Sequence, residues 1–275
     1  MSLGVAAALT RARERGLDRL EAQLLLAELL DRDRAWLITH DQDLLSAEQV
    51  SRFEDWLAQR LQGVPLAYLS GHKEFHGLRL RVNADTLVPR PDTEILVDWA
   101  LELLRAGALA QPELVDLGTG SGAIALALKH RHPQARVTAV DLSAGALAVA
   151  RANAQDLGLV VEFQQGDWWQ PLSGRLFDLI ASNPPYIAGA DPHLPALRHE
   201  PLSALTPGGD GLSALQALIT GAPEHLRPGA WLLLEHGYDQ AEAVGQALSA
   251  RGFELIECRR DLGGQPRVSG GRWPG

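Results

Sequence analysis

Val115-Asp116-Leu117-Gly118-Thr119-Gly120-Ser121-Gly122 carries an apolar run through a glycine turn and straight into a helix-forming segment. Leu114–Leu117 reads as a buried strand and Ala123–His130 as the helix that follows. Glycine accepts positive φ and lets a ligand come close to the backbone. A strand, a glycine turn and a helix in that order open a nucleoside-binding α/β sheet. Gly118, Gly120 and Ala123 also fit the dinucleotide fingerprint G-x-G-x-x-G/A. Asp141, at the end of the next strand, lies at the right distance to bind ribose hydroxyls. The loop alone leaves a nicotinamide cofactor and S-adenosylmethionine equally open.

Downstream the same alternation continues. Val137–Asp141, Val160–Phe163, Leu176–Ala181 and Trp231–Glu235 read as strands, and 144–156, 212–222 and 240–250 as helices. Phe253–Cys258 and Arg267–Gly271 read as a closing pair of strands. This pattern predicts an α/β fold, a Rossmann-like, seven-stranded doubly wound sheet with right-handed crossovers. Upstream, Asp92-Thr93-Glu94 opens an amphipathic helix through Leu104. Phe75, Leu78, Leu80 and Val82, with Gly77 among them, predict a short hairpin. Earlier still, Leu20, Leu24, Leu25, Ala27 and Leu29 give a helical stripe that Asp18 would cap. Ser46-Ala47-Glu48-Gln49 resembles a capping box at the start of a helix through Leu61, which Gly63 and Pro65 stop. The chain is expected to divide into a small N-terminal helical bundle (1–70), a hairpin linker (71–88) and a catalytic domain (89–275).

The totals exclude several function classes. A hydrophobic fraction of 46% with 21% charged residues is ordinary for a globular protein. A formal charge of −9 argues against a general nucleic-acid binder, which presents a basic face to phosphates. No apolar run is long enough to span a bilayer. The patch from Leu3 to Leu9 precedes Arg11, Arg13 and Arg15, the wrong order for a secretion leader. Cys258 is the single cysteine, so no intrachain disulfide or cysteine-based zinc site is possible. The nine histidines show no metal-binding spacing, and His40, His130 and His236 read as structural. A cytoplasmic monomer without metal or membrane contact is the expectation.

Asn183-Pro184-Pro185-Tyr186 follows the strand Leu176–Ala181. Two prolines lack N–H donors and fix φ, so the segment forms a stiff ledge at the strand's carboxyl end. Asn183 offers an amide, Pro184 a carbonyl beside it, and Tyr186 a flat face. Such a ledge suits a planar –NH2 group held by two acceptors with its nitrogen presented to an electrophile. Gly166-Asp167-Trp168 ends the preceding strand. Asp167 could accept from an adenine amino group and Trp168 could cover the ring, although core packing also explains Trp168 and Trp169. A hydride-transfer enzyme has no use for an amine-holding ledge, and the constellation looks like a class I S-adenosylmethionine-dependent methyltransferase.

Further segments resemble the HemK-type release-factor glutamine methyltransferases. They are Gly71-His72-Lys73-Glu74-Phe75-His76-Gly77, Leu87-Val88-Pro89-Arg90-Pro91-Asp92-Thr93-Glu94, Glu200-Pro201 with Ala204-Leu205, and Gly208-Gly209-Asp210-Gly211-Leu212. Leu234-Glu235-His236-Gly237 with Gln240, and Asp261 with Gly264 and Arg267, complete a series that covers nearly the whole chain. The resemblance implies N5-methylation of the glutamine in the Gly-Gly-Gln motif of class 1 peptide-release factors. It implies a cofactor site of Gly118, Thr119, Gly120, Ser121, Gly122, Asp141, Asp167, Trp168 and Asn183. It also implies that Asn183 to Tyr186 hold the glutamine amide, with Arg90 nearby; a helix cap with a surface ion pair is the bland alternative for Arg90. The helical N-terminal domain would contact the release factor away from the glutamine.

Three rivals stay in view. A ribosomal-protein glutamine could be the substrate instead. An adenine-N6 or guanine-N2 nucleic-acid methyltransferase uses a similar ledge, but a flipped base needs a positive groove that the acidic balance disfavours. An idle cofactor-binding module would have no reason to keep Asn183 and Tyr186. Gly263-Gly264-Gln265 repeats the implied target tripeptide within this chain, and coincidence with no self-methylation is the expectation.

Overall fold

Asp18 caps the helix that starts at Arg19 as expected, its carboxylate accepting from the Glu21 N–H at 2.8 Å. The computed structural model describes residues 3–107 and 109–275. The first of two units ends at Gly71. It holds α1 (Val5–Glu14), α2 (Arg19–Leu30), α3 (Arg34–Thr39), α4 (Ala47–Leu61) and α5 (Leu66–Ser70). Ser46 and Gln49 form the reciprocal capping box at α4. Val5, Ala8 and Ala12 pack with Leu25, Leu26 and Leu29 and with Phe53, Trp56 and Leu57. The stripe expected on α2 needs correction. Leu25, Ala27 and Leu29 are buried, but Leu20 and Leu24 are 49% and 41% exposed. Ala22, Leu25, Leu26 and Leu29, at i, i+3, i+4 and i+7, form the face that meets α1 and α4.

The second unit runs His72–Gly275 and opens with the hairpin β1 (His72–Phe75) and β2 (Leu78–Arg81). His76 and Gly77 at its tip both have positive φ, as a two-residue turn between twisted strands demands. Phe75, Leu78, Leu80 and Val82 are buried. A 3-10 turn, Pro91–Thr93, leads into α6 (Glu94–Gly107). Then come β3 (Glu113–Leu117), α7 (Ala123–Arg131), β4 (Arg136–Asp141), α8 (Ala144–Leu157), β5 (Glu162–Gln165) and β6 (Phe177–Ser182). A one-turn helix α9 (Leu202–Leu205), α10 (Ser213–Gly221), β7 (Leu226–Glu235), α11 (Ala241–Arg251), β8 (Glu254–Arg260) and β9 (Pro266–Arg272) complete it.

The seven strands lie in the order β5-β4-β3-β6-β7-β9-β8. Those from β5 to β7 are parallel, and β9 is antiparallel to both β7 and β8. Alternation along β3 sends Leu114 into one core, with Leu96, Trp99 and Leu126, and Val115 and Leu117 into the other, with Ile180, Leu218 and Leu232. The chain winds outward from β3 through β4 to β5, then returns to place β6 on the other side of β3. That reversal opens a crevice above the carboxyl ends of β3 and β6, where doubly wound sheets bind ligands.

Two strand starts differ from expectation by more than one residue. β5 begins at Glu162 rather than Val160, and Val160 is 81% exposed. Gly158 ends α8 in the left-handed region and the Leu159 N–H donates back to Ala154, so residues 158–160 close the helix. As an edge strand, β5 needs no continuous apolar run. β7 begins at Leu226, which pairs with Phe177 before the register shifts and Trp231 pairs with Leu179.

Candidate active site

A cavity of about 520 Å³ opens above the carboxyl ends of β3, β4 and β6. Gly118 to Ser121 form its floor, and Gly118 and Gly120 have φ of +74° and +56°. The Gly118 and Thr119 N–H groups both donate to the Val140 carbonyl at 2.9 Å, fixing the loop to β4. Asp141 braces it further. Its Oδ2 accepts from the Gly120 N–H at 2.8 Å, and its Oδ1 from the Ser143 N–H at 2.8 Å. Burial pushes its pKa up despite these bonds. Each oxygen still carries a lone pair that a vicinal diol could engage.

Trp168 and Asp167 form the adjoining wall. A Cβ at Gly118 would stand 3.3 Å from the Trp168 ring, so only glycine lets the indole lie against the loop. Trp168 itself has a φ of +41°, a strained value for a bulky residue and of the kind that clusters at ligand sites. Trp169 is structural: it stacks on His225 at 4.8 Å and donates to the Ala217 carbonyl. Gly122 lies outside the cavity wall. Its added Cβ would meet Leu126 at 3.0 Å and Ala150 at 3.2 Å, so it serves the packing of α7 on α8.

The Asn183–Tyr186 segment leaves β6 just after Ser182, whose hydroxyl donates to the Leu117 carbonyl at 2.6 Å. Asn183 and Pro185 line the cavity, whereas Pro184 and Tyr186 do not. The Asn183 Nδ2 donates to the Thr93 Oγ1 at 3.2 Å. The Tyr186 ring packs against the core beneath β6 and β7, and its hydroxyl donates to Glu235 Oε1 at 3.1 Å. Burial, aided by the Glu235 charge, raises the phenol's pKa and keeps it a donor. The Tyr186 carbonyl accepts from Gln240 Nε2 at 2.9 Å.

Arg90 lines the cavity and reaches Glu200 Oε1 at 2.5 Å; Glu200 Oε2 accepts from the Val88 N–H at 2.9 Å. The Glu200 side chain is only 3% exposed, so this is an anchored pair rather than a surface one. It ties residues 88–90 to the segment carrying Pro201, Ser203 and Ala204, which also face the cavity.

Several supporting residues had no individual signal in the sequence. Asp116 is fully buried, with Oδ2 accepting from the Thr119 hydroxyl and Oδ1 unpartnered; burial pushes its pKa up to about 7. Burial likewise pushes Glu235 to about 7, against the Tyr186 hydrogen bond, the nearby Thr93 hydroxyl and the Arg267 charge, and its Oε2 is left without a hydrogen-bond partner. Asn153 of α8 joins the glycine loop to the hairpin. Its Nδ2 donates to the Ser121 carbonyl at 2.9 Å and the Arg81 carbonyl at 3.1 Å, and its Oδ1 accepts from the Arg81 N–H. Among the described residues no helix is long and apolar enough to cross a membrane.

Glycine-lined floor, flanking acid, indole wall and amide ledge fit a nucleoside-bearing cofactor without phosphates, since the loop amides donate to protein acceptors. Comparison with known proteins narrows the family. The PrmC N-terminal domain family matches residues 4–71, and the methyltransferase small domain family matches 95–210. A release factor glutamine methyltransferase of Xylella fastidiosa is 49% identical over 272 residues, 98% of each chain. Another, from Bordetella pertussis, is 49% identical over 93% of this chain and 95% of that one. A T. thermophilus 16S rRNA methyltransferase solved with AdoMet and guanosine shares the fold, with a TM-score of 0.53. At 18% identity it covers 74% of this chain and 49% of that one. On identity sustained across both units, the chain belongs to the release factor glutamine methyltransferase family.

Proposed function

We propose that this protein transfers the methyl group of S-adenosylmethionine to the side-chain nitrogen of the glutamine in the Gly-Gly-Gln motif of class 1 peptide-release factors. The observation that carries the reading is the Asn183 amide at the cavity edge, its nitrogen engaged by Thr93 and its oxygen left for a substrate donor. Near-full-length identity to relatives named for that activity supports the choice of substrate.

Gly118 to Ser121 would receive the cofactor's backbone-facing edge, Asp141 its ribose hydroxyls, and Asp167 and Trp168 its adenine. When bound, the cofactor supplies an electrophilic methyl on a sulfonium. A carboxamide nitrogen is a poor nucleophile because its lone pair is delocalised, and no side chain is basic enough at neutral pH to remove its proton outright. Positioning therefore carries most of the catalysis. Asn183 Oδ1, at the cavity edge, and the carbonyl of the next residue, Pro184, which lies outside the cavity wall itself, would accept the two N–H bonds and aim the nitrogen. Orientation of that kind supplies several of the roughly 7–11 kcal/mol that proximity can contribute. Both acceptors would bind more strongly as the nitrogen gains positive charge, which favours the transition state over the bound substrate. Once methylated, the nitrogen is strongly acidic and would release its extra proton to water, leaving a neutral N-methyl amide and the thioether product. Pro185 would bound the amide plane, and Tyr186 would hold the ledge from behind.

The test is mass spectrometry of a class 1 release factor incubated with this protein and S-adenosylmethionine. A gain of one methylene mass on the Gly-Gly-Gln glutamine, absent with Asn183→Ala, is the expected result. A methyl group on another residue, or on a ribosomal-protein glutamine alone, would overturn the substrate assignment.

A further inference from the structure

An asparagine amide is nearly symmetric in shape, so nothing in the ledge's own sequence dictates whether oxygen or nitrogen faces the cavity. Only the oxygen can accept a substrate N–H. We propose that Thr93 and Glu235 are positioning residues that lock the Asn183 amide with its oxygen toward the cavity. The inference rests on the substrate reading above and extends it to residues that never touch the reacting atoms.

The argument follows the protons. Thr93 is 4% exposed, and its Oγ1 lies 3.2 Å from Asn183 Nδ2. Its hydroxyl has one proton to give. Glu235, 1% exposed at the end of β7, has its Oε1 engaged by Tyr186 and its Oε2 buried without a hydrogen-bond partner, an open acceptor near enough for the Thr93 hydroxyl to bear on its titration. With its proton directed to the carboxylate, the Thr93 oxygen presents only lone pairs to Asn183. The amide's NH2 end is satisfied there and its carbonyl end is not. A flipped amide would set oxygen against oxygen in a buried place, which costs the desolvation of an unmade bond.

Tyr186 donates to the same carboxylate from the other end of the ledge. Both terminal residues of Asn-Pro-Pro-Tyr thus converge on Glu235, one directly and one through Thr93. The brace joins three elements that no local sequence unites: the turn before α6, the loop after β6 and the end of β7. Arg267, 15% exposed in its side chain and bound to Asp261 at 3.1 Å, adds a positive charge that favours the ionised form of Glu235.

The experiment uses the full chain, S-adenosylmethionine and a class 1 release factor, with kcat and cofactor affinity measured separately. Thr93→Val keeps the shape but removes the hydroxyl. Its kcat should fall about 100-fold while the cofactor Kd stays within about 3-fold, and Thr93→Ser should recover most of the rate. A Thr93→Val enzyme at wild-type kcat, or a Thr93→Ser enzyme as impaired as the valine variant, overturns the lock. A second readout needs neither substrate nor a folded variant. In the unsubstituted protein, nuclear Overhauser contact between the Asn183 side-chain NH2 and the Thr93 methyl is expected, and its absence overturns the proposal. Wild-type protein that shows this contact yet leaves the release factor unmodified would refute the substrate reading while upholding the lock.

Discussion

Asn183 and Gly211 illustrate two ways in which one position can set the chemistry. Asn183 would act by contact. Asn183→Ala should lower kcat about 10²–10³-fold, the usual loss of one well-placed polar partner, with cofactor affinity within about 3-fold of wild type. Calorimetry beside a methyl-transfer assay separates the two, and a near-normal rate would refute the ledge. Gly211 acts by absence of a side chain. Its φ is +83°, and an added Cβ would stand 2.2 Å from the Tyr186 carbonyl oxygen. That carbonyl already takes the Gln240 side chain. Gly211→Ala should therefore displace the ledge and cost about 1–3 kcal/mol of stability. Urea unfolding and the same activity assay should both register the loss; an unaffected kcat would mean that the ledge tolerates movement.

Asn153 shows how one helix secures two loops, and why such links escape a reading of the sequence. From α8 it bonds the Ser121 carbonyl in the glycine turn and both backbone groups of Arg81 at the end of β2. Asn153→Ala would leave three backbone groups without that partner, the Ser121 carbonyl buried and the two of Arg81 partly so. Each is worth about 1–3 kcal/mol when stranded, so destabilisation of at least about 2 kcal/mol is expected, together with weaker cofactor binding through a loosened glycine turn. Equal cofactor affinity in the variant would show that the turn holds without it. Signals within a few residues were legible: the Asp18 cap, the Ser46–Gln49 box, the hairpin at Gly77 and the strand–glycine–helix unit. Edge strand β5 was misplaced because an edge carries little apolar pattern, and α2 was misoriented because leucines surround it. Thr93 and Glu235 each lay in a quoted segment, but their meeting is a product of topology, far apart in the chain and invisible to any local pattern. Gly122, grouped with the loop, turned out to serve helix packing.

For the molecule as a whole, a division of tasks between the two units is a proposal that truncation tests, and the second unit's buried carboxyls add a pH dependence. Every residue lining the cavity falls between Ala84 and Ala204, within the second unit. A fragment His72–Gly275 should bind S-adenosylmethionine within about 5-fold of the full chain yet methylate the folded release factor poorly, if the first unit holds the partner as proposed. Unimpaired methylation by the fragment would remove that role. The same unit contains two fully buried carboxyls, Asp116 and Glu235, both raised by burial to about 7 from ordinary values of 3.8 and 4.5. The folded state thus holds these protons more tightly than the unfolded chain does. Their contribution to stability is full below about pH 4, declines as pH rises through 7 and is lost above it. Asp141, raised by burial, acts in the same direction. His236, lowered by burial, opposes it, since that group favours the folded state only above its unfolded value of 6.5. At about 1.4 kcal/mol per unit, each of the two carboxyls can account for a few kcal/mol between pH 4 and 8. Urea unfolding should accordingly show the second unit losing stability from pH 6 to 8, where the net charge grows more negative as well. Asp116→Asn cannot ionise and retains an acceptor for Thr119, so its profile should be flatter over that interval. A variant profile parallel to wild type would mean that Asp116 is charged throughout, compensated by groups other than its hydrogen-bond donors.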